Sequence, residues 1–117
     1  MSSALQFDTL NTRDGSSSIG VERLIKGACA AWINSSGVSN VIRGSYNVSS
    51  ITDTGTGAYT INFATPLPDV NYAAVGATDS FVLSTRTRTV NGCDVVTFSS
   101  TTGTPADYSQ NSVSIFR

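Results

Sequence analysis

Between the glycine-bearing segment Asp53-Thr54-Gly55-Thr56-Gly57 and the prolines Pro66 and Pro68, the chain alternates without a break. Tyr59, Ile61 and Phe63 fall on one side, and Thr60, Asn62 and Ala64 on the other. A period of two sends successive side chains to opposite faces of an extended strand; a helix, with period 3.6, cannot do this. Turn residues open the stretch and prolines close it, because proline cannot donate to a sheet ladder. A strand with one apolar face must lie on a second layer, so this stretch predicts a layered β-structure.

The rest of the chain from Ala28 onward reads the same way. Residues 28–34 hold Trp32 and Ile33 and end at Ser35-Ser36-Gly37. Residues 41–48 form a second strand interrupted by Gly44, which in a strand marks a bulge or a close backbone approach. Residues 71–78, with Tyr72 followed by Ala-Ala-Val-Gly-Ala, form a near-continuous apolar run and predict a central strand. Residues 81–90 alternate, with Phe81 and Leu83 on one face and Arg86 and Arg88 on the other. Asn91-Gly92 is the strongest short hairpin signal, since both types tolerate positive φ. Residues 93–99 return with Val95, Val96 and Phe98, residues 101–111 are a polar loop carrying Pro105 and Tyr108, and residues 112–117 close the chain. Seven or eight strands spaced by roughly ten residues, with no long helical pattern, predict an all-β fold: an antiparallel β-sandwich or a jelly-roll-like arrangement. Trp32, Tyr59, Ile61, Phe63, Tyr72 and Phe98 are the expected core.

The length of 117 residues suits one domain with one core. Charged residues are only 13% of it, about half the usual share. Hydroxyl side chains fill the gap, with 18 Ser and 15 Thr. Thr suits a half-buried pleated surface and Ser suits turns, a mixture common in secreted and virion-exposed proteins. The formal net charge is −1, and the seven Lys and Arg are scattered from Arg13 to Arg117. A nucleic-acid binder would gather them into a stripe, so no nucleic-acid partner is expected. No apolar stretch is long enough to span a bilayer, and the first residues lack the basic-then-apolar order of a signal peptide.

Residues 1–27 differ from the rest. Residues 3–9 alternate loosely, as a strand would, Arg13-Asp14-Gly15 is a turn signal, and Ser16-Ser17-Ser18 is polar. Val21, Leu24 and Ile25 then stand at helical spacing before Gly27, which predicts one or two helical turns. Too few apolar residues are present for this segment to fold alone. It reads as an arm (1–27) that packs on the main domain (28–117) or on another chain.

Catalytic chemistry finds little to work with. The chain has no histidine, which removes Ser-His-Asp and Cys-His arrangements and every His-ligated metal site. Glu22 is the only glutamate, and most aspartates stand at turn positions. Asp53-Thr54-Gly55 has the form of an aspartic-protease motif, in which two carboxylates share a proton. However, Thr52 stands where that family has an apolar residue, and its downstream Gly-Arg-Asp/Asn helix is missing. No phosphate-binding glycine loop occurs, and Asn34-Ser-Ser and Asn47-Val-Ser match only a glycosylation sequon. Cys29 and Cys93 leave two readings open: reduced and buried thiols, or a disulfide if their strands are neighbours. No enzyme activity, cofactor or metal is expected. Arg86, Arg88 and Tyr108 are the candidate surface contacts for a sugar or a protein neighbour, against the plainer reading of a sheet edge guarded by charge.

Several motifs resemble a known family. Ala31-Trp32-Ile33-Asn34 with Gly37 is followed by Ser45-Tyr46-Asn47-Val48-Ser49-Ser50-Ile51-Thr52-Asp53-x-Gly55-x-Gly57-x-Tyr59-Thr60-x-x-Phe63 and by Pro68-Asp69-x-Asn71-Tyr72-Ala73. The series is similar to a domain of tail-fibre-like and other virion structural proteins of phages that infect cyanobacteria and other aquatic bacteria. Leu5-x-Phe7-Asp8-Thr9-Leu10, with Asp14-Gly15 after it, is similar to the arm preceding that domain. The family's opening Lys and Phe are replaced here by Ala30 and Ser35, and the departure at Ser35 leaves the family's local packing and partner surface open for this chain. The resemblance implies a virion component made in the host cytoplasm. Its partners would be other phage structural proteins, copies of itself in a homotrimer or another symmetric oligomer, and a host surface glycan. A tail-fibre or appendage protein is the leading expectation. A capsid decoration protein is the alternative, which the short length favours, and an enzyme acting on the host envelope ranks last.

Overall fold

The computed structural model describes residues 4–21, 24, 28–79 and 82–117. The strands are β1 (Thr9–Asn11), β2 (Ser18–Gly20), β3 (Cys29–Ser36), β4 (Val41–Tyr46), β5 (Val48–Gly55), β6 (Ala58–Phe63), β7 (Ala73–Thr78), β8 (Val82–Thr89), β9 (Gly92–Phe98) and β10 (Asn111–Phe116). Eight of them form two antiparallel four-stranded sheets, ordered β4-β3-β10-β7 and β5-β6-β9-β8, while β1 and β2 pair with each other. The fold is all-β and sandwich-like.

The core lies between the central strands. Ala31 and Ile33 of β3 and Val113 and Ile115 of β10 come from one sheet; Tyr59, Ile61 and Phe63 of β6 and Cys93 and Val95 of β9 come from the other. Burying each such aliphatic side chain contributes about 1.5–3 kcal/mol. Leu67 and Tyr72, in the connection between β6 and β7, join the same cluster. The Phe63 and Tyr72 rings meet edge-on at 5.9 Å, and the Tyr72 hydroxyl donates to the Gly92 and Thr89 carbonyls. Burial raises both the Tyr59 and the Tyr72 phenol to about 12.

Two expected core residues lie outside this cluster. In β3, Ala31, Ile33 and Ser35 are buried, so the pleat turns Trp32 outward, where it is 41% exposed. In β9, Cys93, Val95 and Thr97 point inward, and Phe98 is a half-buried residue on the other face. Residue type alone suggested the core, but strand parity decides the face.

The strand count exceeds expectation for two reasons. The 41–48 stretch is two elements with a corner at Asn47, which takes φ 55° and carries the chain from one sheet to the other. Its side-chain oxygen accepts from the Thr65 N–H at 2.7 Å, and its nitrogen donates to the Ala30 and Thr65 carbonyls. The following strand, β5, is mostly polar and exposed because it is an edge strand, and so lacks an apolar signature. The other addition is the hairpin of β1 and β2 within the arm. Residues 4–7, expected to be extended into a strand, pair with nothing. Of the helical turns expected before Gly27, Val21 and Leu24 have helical backbone and the Ala28 N–H donates to the Leu24 carbonyl. Residues 22, 23 and 25–27 lie outside the described residues, as does Phe81.

Two further expectations are corrected. The apolar run at 71–78 is not central: β7 is an edge strand, with Ala73, Val75 and Ala77 facing solvent. The β8–β9 hairpin turns at Val90 and Asn91, and neither Asn91 nor Gly92 takes positive φ. Gly92 begins β9, where a Cβ would lie 2.4 Å from the Ile61 carbonyl oxygen, so close strand approach is what demands glycine. Cys29 and Cys93 are free thiols, on β3 and β9 of opposite sheets.

Candidate functional site

The expected contact residues do not form one surface. Thr85 pairs with Val95 and Arg88 with Cys93, so a bulge inserts one residue between them. Arg88 therefore shares the inward side with Thr85; its guanidinium stands 6.0 Å from the Tyr72 ring and donates to the Thr85 hydroxyl. Arg86 turns the other way and covers Phe98 at 5.4 Å. Each arginine thus stacks on a ring of its own domain. Tyr108 belongs to the β9–β10 connection and is half-buried. Its carbonyl accepts from the Gly37 N–H at 2.8 Å, beside Arg43, which donates to the Ser35 and Ser109 carbonyls and to Gln110. The register places Arg88 near the end of the sandwich opposite to Tyr108.

The Asp53 carboxylate is occupied structurally. One oxygen accepts from the Gly55 N–H and the other from the Asn40 side chain, an Asx turn that sets up the β5–β6 hairpin. Gly57 follows at φ 68°, and a Cβ there would come within 2.5 Å of the Ala106 nitrogen. Its N–H donates to Asp107, so the β9–β10 connection is clamped onto this hairpin. Among the described residues, no three Cys, Asp or Glu side chains gather where a metal ion could be held. No helix among them is long and apolar enough to cross a membrane.

Two exposed apolar surfaces stand out, and only the second was expected from the sequence. The first crosses the outer face of the β3–β10 sheet. Tyr46 pairs with Trp32, Trp32 with Ser114, and Ser114 with Val75, so these four side chains form one row across all four strands. Tyr46 is 59% exposed and Val75 61% exposed. The Trp32 ring lies over Gly44, where a Cβ would touch it at 3.4 Å. The next row, Gly44, Asn34, Ser112 and Ala77, is small and uncharged. A reading of alternation in 31–35 would have found this face.

The second surface is the arm. Its hairpin is closed by Asp14, whose carboxylate accepts from the hydroxyls of Ser16 and Thr12 and from the Ser16 N–H. The Ser16 hydroxyl above all holds the Asp14 carboxyl down to about 2. Leu5, Phe7 and Leu10 are 85%, 42% and 50% exposed. A shallow apolar depression is lined by Leu10, Asn11, Thr12, Ser17, Ser18 and Ile19. The radius of gyration is 17.2 Å, against about 13 Å for a compact domain of about 100 residues, in keeping with an arm that extends from the sandwich.

Comparison of the chain with protein-family models, with curated proteins and with solved structures returns no match.

Proposed function

We propose that this chain is a structural protein of a bacteriophage particle, of the tail-fibre or appendage type, joined to its neighbours through the N-terminal arm. The observation that carries the reading is the arm itself: a hairpin and the residues leading into it, with Leu5, Phe7 and Leu10 side chains in solvent, attached to a sandwich whose core is already closed. A segment of that kind gains its burial from another chain. The motif series between Ala28 and Ala73 supports placing that assembly in a virion. The sandwich would then face outward, towards the host surface and its glycans.

The test is to locate the protein on intact particles of the virus that encodes it, with a gold-labelled antibody. Label at the tail or its tip is the expected result, and glycan-binding assays follow from it. Label spread over the head would make the chain a decoration protein instead. Particles without label would overturn both placements.

A further inference from the structure

We infer that the arm of one copy lies across the outer face of the β3–β10 sheet of a second copy, setting Phe7 and Leu10 against Trp32, Tyr46 and Val75. This rests on the assembly reading and deepens it by naming the surface that receives the arm.

One chain leaves two apolar surfaces open. Leu5, Phe7 and Leu10 are exposed on the arm, and Trp32, Tyr46 and Val75 are exposed in a row on the sheet. Within a single copy neither covers the other. Every copy carries both halves, so a second copy can satisfy both.

The chemistry of the face suits an apolar occupant. Neither of its two rows contains a charged residue, and its anchors are Trp and Tyr, the types that dominate the buried centre of protein interfaces. Between the anchors stand Gly44, Ser112, Ser114 and Ala77, low enough for an arm's side chains to settle. The opposite outer face offers no such seat. There Thr60 donates to Asp94 at 2.7 Å, and the Asn62 amide donates to the hydroxyls of Ser50 and Thr52. Docking on it would break bonds already made. Because arm and face are different patches, the contact is head-to-tail, and it closes into a ring if the rotation allows.

Trp32 is the only tryptophan, so its emission reports this face directly. The experiment uses the full chain, with light scattering after gel filtration and acrylamide quenching of Trp32. The wild type should form one closed oligomer in which Trp32 is blue-shifted and screened from quencher. Leu10→Glu on the arm and Val75→Glu on the sheet should each weaken association by about tenfold or more and expose Trp32. Both positions face solvent in the single copy, and unchanged circular dichroism confirms that each variant folds. Mixing the two variants should restore a heterodimer, because one intact arm still meets one intact face.

A monomeric wild type, a Leu10→Glu variant that assembles like wild type, or a mixture that stays monomeric would each overturn the inference. Loss of assembly in Val75→Glu alone would mean that the face packs on itself, and would overturn it as well. The outcomes separate from those of the virion reading. A monomer that labels the particle defeats the docking alone, whereas an arm-to-face ring absent from particles defeats the virion reading alone.

Discussion

The outer faces of the two sheets are built from the same kind of strand yet meet solvent in opposite ways. On the β6–β9 sheet, Thr60 is bonded to Asp94, and Asn62 ties two hydroxyls of β5. That face satisfies itself, and Arg86 shields the Phe98 ring. On the β3–β10 sheet, Tyr46, Trp32 and Val75 stand in one line with only Ser114 between them. Both faces sit behind the same core, so stability of the single chain does not require the difference. A hydroxyl-rich composition can therefore conceal one face that is finished and one that awaits a partner.

The largest effect should separate the two sides of β3. Ile33→Ala removes a buried side chain and is expected to cost about 2–5 kcal/mol in urea unfolding followed by circular dichroism. Its neighbour Trp32→Ala should cost about 1 kcal/mol or less in the isolated chain. Equal losses would mean that Trp32 is a core residue after all and would erase the contrast between the faces.

Next come the faces themselves. Asn62→Ala removes both amide bonds to β5 and should cost about 1–2 kcal/mol, whereas Ser114→Ala should stay within about 0.5 kcal/mol. A costly Ser114→Ala would show that the apolar face is also held by hydrogen bonding.

The inner side of the polar sheet can be probed with base. Tyr59 is raised above the usual tyrosine value because burial disfavours the phenolate, with the Ser35 hydroxyl pulling the other way. Its contribution to stability is complete below about 10 and is lost as pH rises through about 12. Ultraviolet titration should show two phenols, Tyr59 and Tyr72, ionising at about 12, and Tyr59→Phe should halve the amplitude of that step.

The smallest effect lies at the exposed ion pair that pins the chain end. Arg117 donates to both oxygens of Asp69, at 2.8 and 2.5 Å, and this contact, with the Asn71 N–H, holds the Asp69 carboxyl below the usual value. A depressed carboxyl stabilises the fold above its unfolded pKa and loses that contribution as pH falls through the folded one. Asp69→Asn should therefore flatten the acid side of the stability profile slightly and leave neutral stability nearly unchanged.

Much of the strand pattern was legible because one face of each central strand is buried. Tyr59, Ile61 and Phe63 announce β6 for that reason, and Val95 does the same for β9. Edge strands carry a weaker signal. β5 is nearly all polar, and β7 has small residues on both faces that pass for a buried strand. The candidate surfaces were harder still. Arg86 and Arg88 share a face in any regular strand, and only the bulge after Thr85 parts them. Trp32 looked like core because of its size, although its neighbours Ala31 and Ile33 already claim the inward positions.

By itself the sequence determined an all-β chain with a short polar arm, since alternation, glycine turns and prolines act through local backbone geometry. It also marked where most strands begin and end. Tertiary structure alone decided which face each strand presents, that Asn47 turns the chain between sheets, and that an aromatic row lies open across one of them. Those outcomes depend on register and on bulges, and a shift of one residue in pairing reverses every side chain that follows.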